Sequence, residues 1–245
     1  MQANIKKTTL FLDSVIYDEI VKYSWIISGV TTTPTFLNRD KVNLDEFATR
    51  LRADYPNLEL HVEALGADSI ETEKQLQDIL NKPWFNIDKV IIKIPVSFDN
   101  LKIISKYSEN GVKFNTHLVF TPCQAYLAVL AGSIYVCPLV GRYADSVSKL
   151  FGKNLHGGDD DITNKILVDI IDAVDKARNG KQVGVMASSI RTIGDFRNAV
   201  MAGSDVVTVP AKILEDSIKN EYTDQGISTL LESINVKKYG QGNSK

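Results

Sequence analysis

Cysteine, histidine and long apolar runs are all scarce in this chain of 245 residues. The sequence holds 2 cysteines and 3 histidines. Cys123 and Cys137 form neither a CxxC pair nor a disulfide framework, so nothing indicates a redox motif or a disulfide-rich fold. No stretch approaches the roughly 18 apolar residues that a membrane-spanning helix needs. We therefore expect a protein without a transmembrane segment or structural disulfides.

An excess of charge of either sign is also missing. Lysine and arginine number 28, aspartate and glutamate number 30, and the formal net charge is -2 with a pI of about 6.0. This balance gives no indication of a surface for nucleic acid. Lys6 and Lys7 precede an apolar run that is too short for a signal peptide. We expect a soluble, cytoplasmic protein with no nucleic-acid or membrane partner.

Short apolar runs alternate with amphipathic segments along the chain. Eight runs have the composition of buried strands: Thr8–Asp13, Trp25–Val30, Leu58–Leu65, Lys89–Val96, Lys113–Phe120, Ser133–Val140, Gln182–Met186 and Asp205–Val209. Helical spacing of apolar residues follows two of them, from Leu44 to Leu51 and from Leu167 to Val174. The second helical segment is followed by Asn179-Gly180, a suitable helix stop. Such alternation predicts parallel strands joined by right-handed crossovers.

Two segments of the chain also resemble each other. In LAGSIYVCP (Leu130–Pro138) and in MAGSDVVTVP (Met201–Pro210), a predicted helix ends at glycine and a predicted strand closes at proline. Eight strand–helix units in a chain of this length favour a closed barrel over an open sheet. No GxGxxG motif follows the first strand, which removes the main indication of a dinucleotide-binding fold.

We therefore predict an α/β fold, a single (β/α)8 TIM barrel that spans residues 1–245. A C-terminal helix and a polar tail are expected from about Lys219. The last ten residues, Val236–Lys245, are polar and are expected to fray unless they dock on a neighbour.

Ionisable side chains stand at strand ends whose apolar pattern does not require them. They are Asp13, Glu63, Lys93, His117 and Arg142, while the second and seventh strands end in hydroxyl clusters, Thr31–Thr33 and Ser188–Ser189. In a barrel of this kind, chemistry occurs at the carboxyl ends of the strands. Period-2 alternation places Lys93 on the strand face opposite Val90 and Ile92. Lys93 is therefore predicted to point into the barrel, where Asp13 and Glu63 can approach it.

Each of these residues also has a purely structural interpretation. A lysine within a strand is commonly an edge gatekeeper or a side chain that reaches solvent, and Asp13 is suited to cap the next helix. His117 is suited to a hydrogen-bonded core position. His61 and Glu63 share a strand face, but two ligands make a poor metal site. The run Asp159–Asp161 is typical of a solvated loop and helix start. A single functional site explains these five residues at one end of a barrel better than five separate structural roles. We expect no metal in that site.

A buried lysine beside carboxylates is suited to Schiff-base chemistry. Removing an amine from water favours the neutral form that attacks a ketone carbon, although nearby carboxylates act in the opposite direction. The carboxylates can also move protons to and from substrate hydroxyls. Beyond the sixth and seventh strands, Arg142, Ser189 and Arg191 offer two cations and a hydroxyl, which suits a phosphate. The residues thus predict an imine-forming enzyme that acts on a phosphorylated ketose.

From about Thr9 to about Ser217, the sequence resembles the small transaldolase and fructose-6-phosphate aldolase family. The segments that carry the resemblance are LFLDS, SGVTTTP, VIIKIPV, FNTHLVFTPCQAYLAVLAG, CPLVGRYAD and VMASSIRT, in this order along the chain. The resemblance implies that Lys93 is the Schiff-base lysine and that Asp13 exchanges a proton with the C4 hydroxyl as the C3–C4 bond breaks. It implies that Glu63 handles the catalytic water.

The same resemblance assigns the groups that hold the substrate. Arg142 falls at the phosphate-binding arginine, and Ser189 and Arg191 fall at the phosphate serine and the cation that follows it. Thr31 and Thr33 fall among the substrate-binding positions, with Thr33 in place of the family's asparagine, which hydrogen-bonds donor hydroxyls.

His117 is the second departure from the family pattern. It replaces the threonine that helps to hold the catalytic water, and an imidazole can act as a general acid or base near neutral pH. We count it among the candidate catalytic residues.

The activity implied by the resemblance is a ping-pong transfer of a three-carbon dihydroxyacetone unit from a phosphorylated ketose to an aldehyde. The resemblance implies no cofactor. It also implies a ring-like homo-oligomer, such as a decamer. Glu63 stands where the aldolase branch tends to have glutamine, and Leu139 where it has tyrosine; both differences favour transfer. Three alternatives stay open: a lyase that releases dihydroxyacetone or hydroxyacetone, a transaldolase for an unusual ketose such as a sulfonated sugar, and a sugar-phosphate-binding homologue with impaired catalysis.

Overall fold

The computed structural model describes residues 8–158 and 162–233 of the chain. Eight strands run in the order of the sequence around a closed barrel. They are β1 (Thr9–Asp13), β2 (Gly29–Thr31), β3 (Glu59–Glu63), β4 (Val90–Pro95), β5 (Phe114–Val119), β6 (Tyr135–Pro138), β7 (Gly184–Ala187) and β8 (Val206–Val209). Each strand pairs in parallel with its neighbours, and β8 pairs with β1. The predicted (β/α)8 barrel is confirmed.

Helices follow every strand in the part of the chain that the structure describes. They are α1 (Tyr17–Tyr23), α2 (Pro34–Asp40), α3 (Leu44–Asp54), α4 (Ser69–Leu80), α5 (Phe98–Ser108), α6 (Pro122–Leu130), α7 (Val140–Phe151), α8 (Ile162–Ala177), α9 (Ile193–Met201), α10 (Ala211–Ile218) and α11 (Glu221–Ser233). None of these helices is long and apolar enough to cross a membrane. The acidic run Asp159–Asp161 and the polar tail Val236–Lys245 lie outside the described residues.

The second strand is shorter than its apolar run indicates. The prediction began at Trp25, but Trp25 lies in the turn after α1, 79% exposed, and β2 begins only at Gly29. A Cβ at Gly29 would lie 2.3 Å from the ring of Phe11 and 2.8 Å from the carbonyl oxygen of Glu59. Glycine is therefore needed here because the neighbouring strands leave no room for a side chain. The seventh strand is also shifted, from Gln182–Met186 to Gly184–Ala187.

Apolar side chains pack in two layers, one outside and one inside the barrel. The outer layer joins the strands to the helices and contains Val90, Ile92 and Ile94 of β4. The inner layer is small and contains Phe11, Cys137, Met186 and Val206. Since side chains alternate along a strand, Lys93 belongs to the inward set. This arrangement is the one that the period-2 pattern of β4 predicts.

Backbone turns end three of the helices as predicted. Gly132 and Gly203, in the two mutually similar segments, have φ values of 103° and 86°, and each precedes a strand. Asn179 and Gly180 follow α8 with φ values of 38° and 81°. Glycine tolerates this left-handed conformation best, so these residues mark the turns that return the chain to the barrel.

Candidate active site

A cavity of about 560 Å³ opens at the carboxyl ends of the strands. Every strand, or the residue directly after it, contributes one polar side chain to the wall. These side chains are Asp13, Thr31, Glu63, Lys93, His117, Cys137, Ser188 and Thr208. The structure therefore brings the sequence-predicted strand-end residues together at one end of the barrel.

Lys93 occupies the interior end of this cavity and is 3% exposed. Its Nζ donates a hydrogen bond to the carbonyl oxygen of Thr32 at 3.0 Å and lies 3.9 Å from Oε2 of Glu63. Glu63 is its direct partner in the register of β3 and β4. An edge gatekeeper is excluded because β4 pairs on both sides in a closed barrel, and a solvent-reaching lysine is excluded by the burial.

Asp13 ends β1 and is held by a chain of two hydroxyl groups. The Thr31 hydroxyl donates to Oδ1 of Asp13 at 2.7 Å and lies 2.6 Å from the Thr208 hydroxyl. Because the Thr31 proton is engaged by Asp13, Thr208 must be the donor to Thr31. Burial raises the pKa of Asp13, and the Thr31 hydrogen bond and the charge of Lys93 offset this only in part. Asp13 does not cap α1, whose N-cap is Ile16.

Glu63 and His117 form a short polar contact in the cavity wall. Nδ1 of His117 lies 2.6 Å from Oε1 of Glu63, and their side chains are 10% and 5% exposed. Burial, followed by the charge of Lys93, lowers the pKa of His117. Burial alone would raise the pKa of Glu63, but the His117 hydrogen bond and the charge of Lys93 outweigh it and hold the pKa below its usual value. A neutral imidazole therefore donates Nδ1–H to a carboxylate.

The predicted phosphate-binding residues lie where α7 begins beside the loop after β7. Arg142 is exposed in the first turn of α7, and its positive charge acts on Glu63 and His117. Ser189 has a φ of 59°, and Arg191 pairs with Asp145 at 2.6 Å. All three predicted residues line the same cavity. The N-terminus of an α-helix favours an anion because its first N–H groups point outward.

Gly141 allows α7 to approach this loop. A Cβ on Gly141 would lie 1.9 Å from the carbonyl oxygen of Ser189. The N–H of Val140 also donates to the carbonyl oxygen of Ser188 at 3.0 Å. The helix start and the loop are therefore held in direct contact, which fixes Arg142 relative to Ser189.

Thr33 has a structural contact as well as a place in the cavity wall. It is the N-cap of α2, and its hydroxyl oxygen accepts a hydrogen bond from the N–H of Phe36 at 3.3 Å. Its hydroxyl proton is not used by that bond, so it can be donated to a bound ligand. An asparagine would also be a good N-cap, so the helix alone does not explain the threonine.

His61 does not join Glu63 in a common site. Its ring is fully buried in the barrel, with Nε2 at 3.4 Å from Glu59 and Nδ1 at 3.0 Å from the side-chain amide of Asn115. Glu63 is instead bonded to His117. Across the described residues, no three His, Cys, Asp or Glu side chains form a group that could hold a metal ion.

Of the eight strand-end side chains in the wall, two were not predicted from the sequence, Thr208 and Cys137. Thr208 interrupts VVTV in β8 on the inward face, which is the same signal that identified Lys93. Cys137 donates to the Ser188 hydroxyl at 3.2 Å, and burial raises the pKa of its thiol to about 11. The thiol is therefore protonated near neutral pH and is a poor nucleophile.

Comparison with known proteins identifies the family of this chain. Residues 10–241 match the model of a family described as transaldolase/fructose-6-phosphate aldolase. The chain is 34% identical to a probable transaldolase of Caldicellulosiruptor saccharolyticus over 230 residues, covering 91% of this chain and 95% of the relative. It is 32% identical to a probable transaldolase of Petrotoga mobilis over 236 residues, covering 94% and 95%. This chain therefore belongs to the transaldolase/fructose-6-phosphate aldolase family.

Proposed function

We propose that this protein is a cytoplasmic transaldolase that transfers a dihydroxyacetone unit from a phosphorylated ketose to an aldehyde through a Schiff base on Lys93. The observation that carries the proposal is the burial of Lys93, 3% exposed, in a cavity that it shares with Asp13, Glu63, Arg142 and Arg191. A buried amine is suited to imine chemistry, and neighbouring carboxylates can move the protons that the reaction needs.

The donor half of the reaction uses Lys93 and Asp13. The Lys93 amine attacks the C2 carbonyl of the ketose, and loss of water gives the imine. The carboxylate of Asp13 takes the proton of the C4 hydroxyl as the C3–C4 bond breaks, which releases an aldose phosphate. Since burial raises the pKa of Asp13, its carboxylate is a stronger base than an exposed one.

The acceptor half runs these steps in reverse. The three-carbon unit on Lys93 adds to the carbonyl carbon of a second aldehyde, and Asp13 returns its proton to the new hydroxyl. Hydrolysis of the imine then frees the product ketose. The water that is lost and gained at C2 is assigned to the neighbourhood of Glu63, because its Oε2 lies 3.9 Å from Nζ of Lys93.

The phosphate of each sugar is assigned to Arg142, Ser189 and Arg191. The two guanidinium groups can form charge-assisted hydrogen bonds to phosphate oxygens, and the start of α7 adds its dipole. Thr31 and Thr33 also line the cavity, where they can contact donor hydroxyls.

Transfer is favoured over release of dihydroxyacetone by Leu139. This side chain lines the cavity and is 4% exposed, so at that point the wall offers no hydroxyl to the bound three-carbon unit. The proposal is tested with fructose 6-phosphate, with and without a four-carbon aldose phosphate as acceptor. We expect a new ketose phosphate only when the acceptor is present, and no product with Lys93→Met.

Each alternative function has its own outcome when the same assay is repeated with other ketoses, including a sulfonated one. Equal release of dihydroxyacetone with and without acceptor would identify a lyase. Activity confined to a sulfonated ketose would identify an unusual donor. Tight binding of sugar phosphate without turnover, unchanged in Lys93→Met, would identify a binding protein and contradict imine catalysis.

We also propose a homo-oligomer. Helix α11 carries apolar side chains that are strongly exposed in a single chain, among them Tyr222 (80%), Ile227 (51%) and Leu231 (61%). A second copy of this chain is a suitable cover for them, because isolated subunits rarely leave such residues in water. Light scattering after size-exclusion chromatography will measure the mass, and a monomer at micromolar concentration would contradict the proposal.

A further inference from the structure

The contact with His117 occupies one of the two carboxylate oxygens of Glu63, so that oxygen is not free to bind the catalytic water. Oε1 of Glu63 accepts the hydrogen bond of His117 at 2.6 Å, and only Oε2 faces Lys93, at 3.9 Å. Any water beside Lys93 must therefore share the space with an imidazole ring. The ring is a larger group than a hydroxyl, and it can carry a proton.

The protonation states of the pair leave one nitrogen available. The charged groups that act on His117 are Glu63 on β3, Lys93 on β4 and Arg142 on α7. Burial and the two cations lower the pKa of His117, while Glu63 acts in the opposite direction. With Nδ1–H directed to Glu63, the unprotonated Nε2 is an acceptor. Within the described residues, no hydrogen bond joins Nε2 to the protein.

The backbone around His117 is arranged to direct this ring. The register between β5 and β6 shifts between Thr116 and Val119, and Leu118 has a φ of 57°. A residue with a β-carbon is strained in that conformation, and irregular strands next to sites commonly re-aim a side chain. His117 lies within this irregular segment and lines the cavity.

We propose that His117 is the general acid–base group of imine formation and hydrolysis in this protein, and that Glu63 acts as a positioning residue for its ring. This inference rests on the proposed Schiff-base function and assigns the proton transfers of that same site. The arrangement has the logic of other catalytic dyads, in which a carboxylate fixes the tautomer of an imidazole and stabilises its protonated form.

The proton count of imine formation balances with one imidazole. Starting from the ammonium form of Lys93, Nε2 of His117 takes one proton and frees the amine. The amine lone pair forms the N–C2 bond, and the imidazolium returns its proton to the new oxyanion. His117 then takes a second proton from the nitrogen and gives it to the C2 hydroxyl as the C–O bond breaks. Water leaves, the iminium remains on Lys93, and His117 is neutral again.

The test measures how fast dihydroxyacetone forms an imine on Lys93. Samples are quenched into borohydride at successive times between about pH 5 and pH 9 and the adduct is quantified by mass. His117→Asn is the informative variant, since its side-chain amide can still donate to Glu63 but cannot titrate. We expect its rate of adduct formation to fall by about 10²-fold, as is typical for loss of a general acid–base group.

The pH profile separates a catalytic role from a structural one. In the wild type the rate should decline as the pH falls below the ordinary histidine value of 6.5, because His117 becomes protonated. His117→Asn should lose this decline. Glu63→Gln should keep a decline but shift it, because the carboxylate that stabilises the imidazolium is gone.

Two results would overturn the inference. One is a His117→Asn rate and pH profile equal to the wild type. The other is a reduced rate with the wild-type profile intact, which would indicate a role in shape alone. An absence of adduct in the wild type would instead contradict the proposed function itself. Retained Tm values and a His117→Gln variant will show whether a loss arises from misfolding.

Discussion

Substitution of Gly141 by alanine tests whether the contact between α7 and the loop after β7 positions the phosphate-binding groups. A Cβ on Gly141 would lie 1.9 Å from the carbonyl oxygen of Ser189 and 2.8 Å from Cγ of Arg191. Such contacts essentially never fall below 3.0 Å, so the helix and the loop must separate by more than 1 Å. Arg142 follows Gly141 directly and will move away from Ser189 with it.

The size of the effect follows from this displacement. Overpacking of a close contact costs about 1–3 kcal/mol, and in a domain of this size each kcal/mol lowers Tm by roughly 2–4 °C. A misplacement of about 1 Å can cost 10²-fold in rate. We therefore expect kcat/KM for fructose 6-phosphate to fall by about 10²-fold. Imine formation with unphosphorylated dihydroxyacetone should change little, because it does not use the phosphate-binding groups.

Gly152→Ala is the matched control at the other end of α7. Gly152 has a φ of 66°, and a Cβ added there would meet no atom within 4 Å, so alanine introduces backbone strain without a clash. We expect a loss of about 1 kcal/mol with an unchanged preference for a phosphorylated donor. If Gly141→Ala keeps that preference, or if Gly152→Ala loses it equally, the proposed phosphate site is refuted.

The cavity wall offers further tests. Asp13→Asn should abolish transfer but raise Tm at pH 7 by a few degrees. Because the pKa of Asp13 is raised in the folded protein, ionisation of this residue destabilises the fold above pH 3.8, its ordinary pKa. The difference in Tm between the two proteins should vanish below pH 3.8, where both side chains are neutral. Thr208→Val should cost about 1 kcal/mol, because it removes the hydroxyl that donates to Thr31, and a Tm unchanged in thermal unfolding would contradict that hydrogen-bond chain. Because the pKa of His117 is lowered in the folded protein, the free energy of unfolding should decrease as the pH falls from 6.5 through the pKa of the folded state. Urea titrations should therefore show a smaller loss of stability at acid pH for His117→Asn. Thr33→Asn should keep the α2 cap and leave stability within about 0.5 kcal/mol while it lowers KM for a ketose donor; an unchanged KM would exclude Thr33 from donor binding.

The barrel was predictable because its strands and helices carry strong local patterns. The apolar face of β4 packs under the helices, and Leu167, Ile170, Ile171 and Val174 are all buried in α8. Trp25 was misassigned because an apolar run does not show which of its residues can reach a neighbouring strand. Pairing begins at Gly29, where Phe11 and the carbonyl oxygen of Glu59 leave no room for a side chain, and these contacts join separate parts of the chain.

The sequence identified mainly those site residues whose charge is unfavourable in a buried strand. A charge at Lys93 is expensive in a buried strand and therefore stands out, whereas Thr208 has nearly the shape of valine and does not. The Glu63–His117 bond was not foreseen, because the two residues lie on strands separated by β4 and their rotamers depend on the irregular backbone at Leu118. The pairing of Arg191 with Asp145 likewise depends on where α7 begins.

Covalent capture on Lys93 is the decisive test of the proposed imine chemistry. The protein is incubated with fructose 6-phosphate, reduced with borohydride, digested and analysed by mass spectrometry, with Lys93→Met as the control. We predict a reduced three-carbon adduct on the peptide that contains Lys93 and none in the variant. An adduct on another lysine, or turnover without any adduct and undiminished in Lys93→Met, would contradict the assignment of Lys93 as the covalent centre.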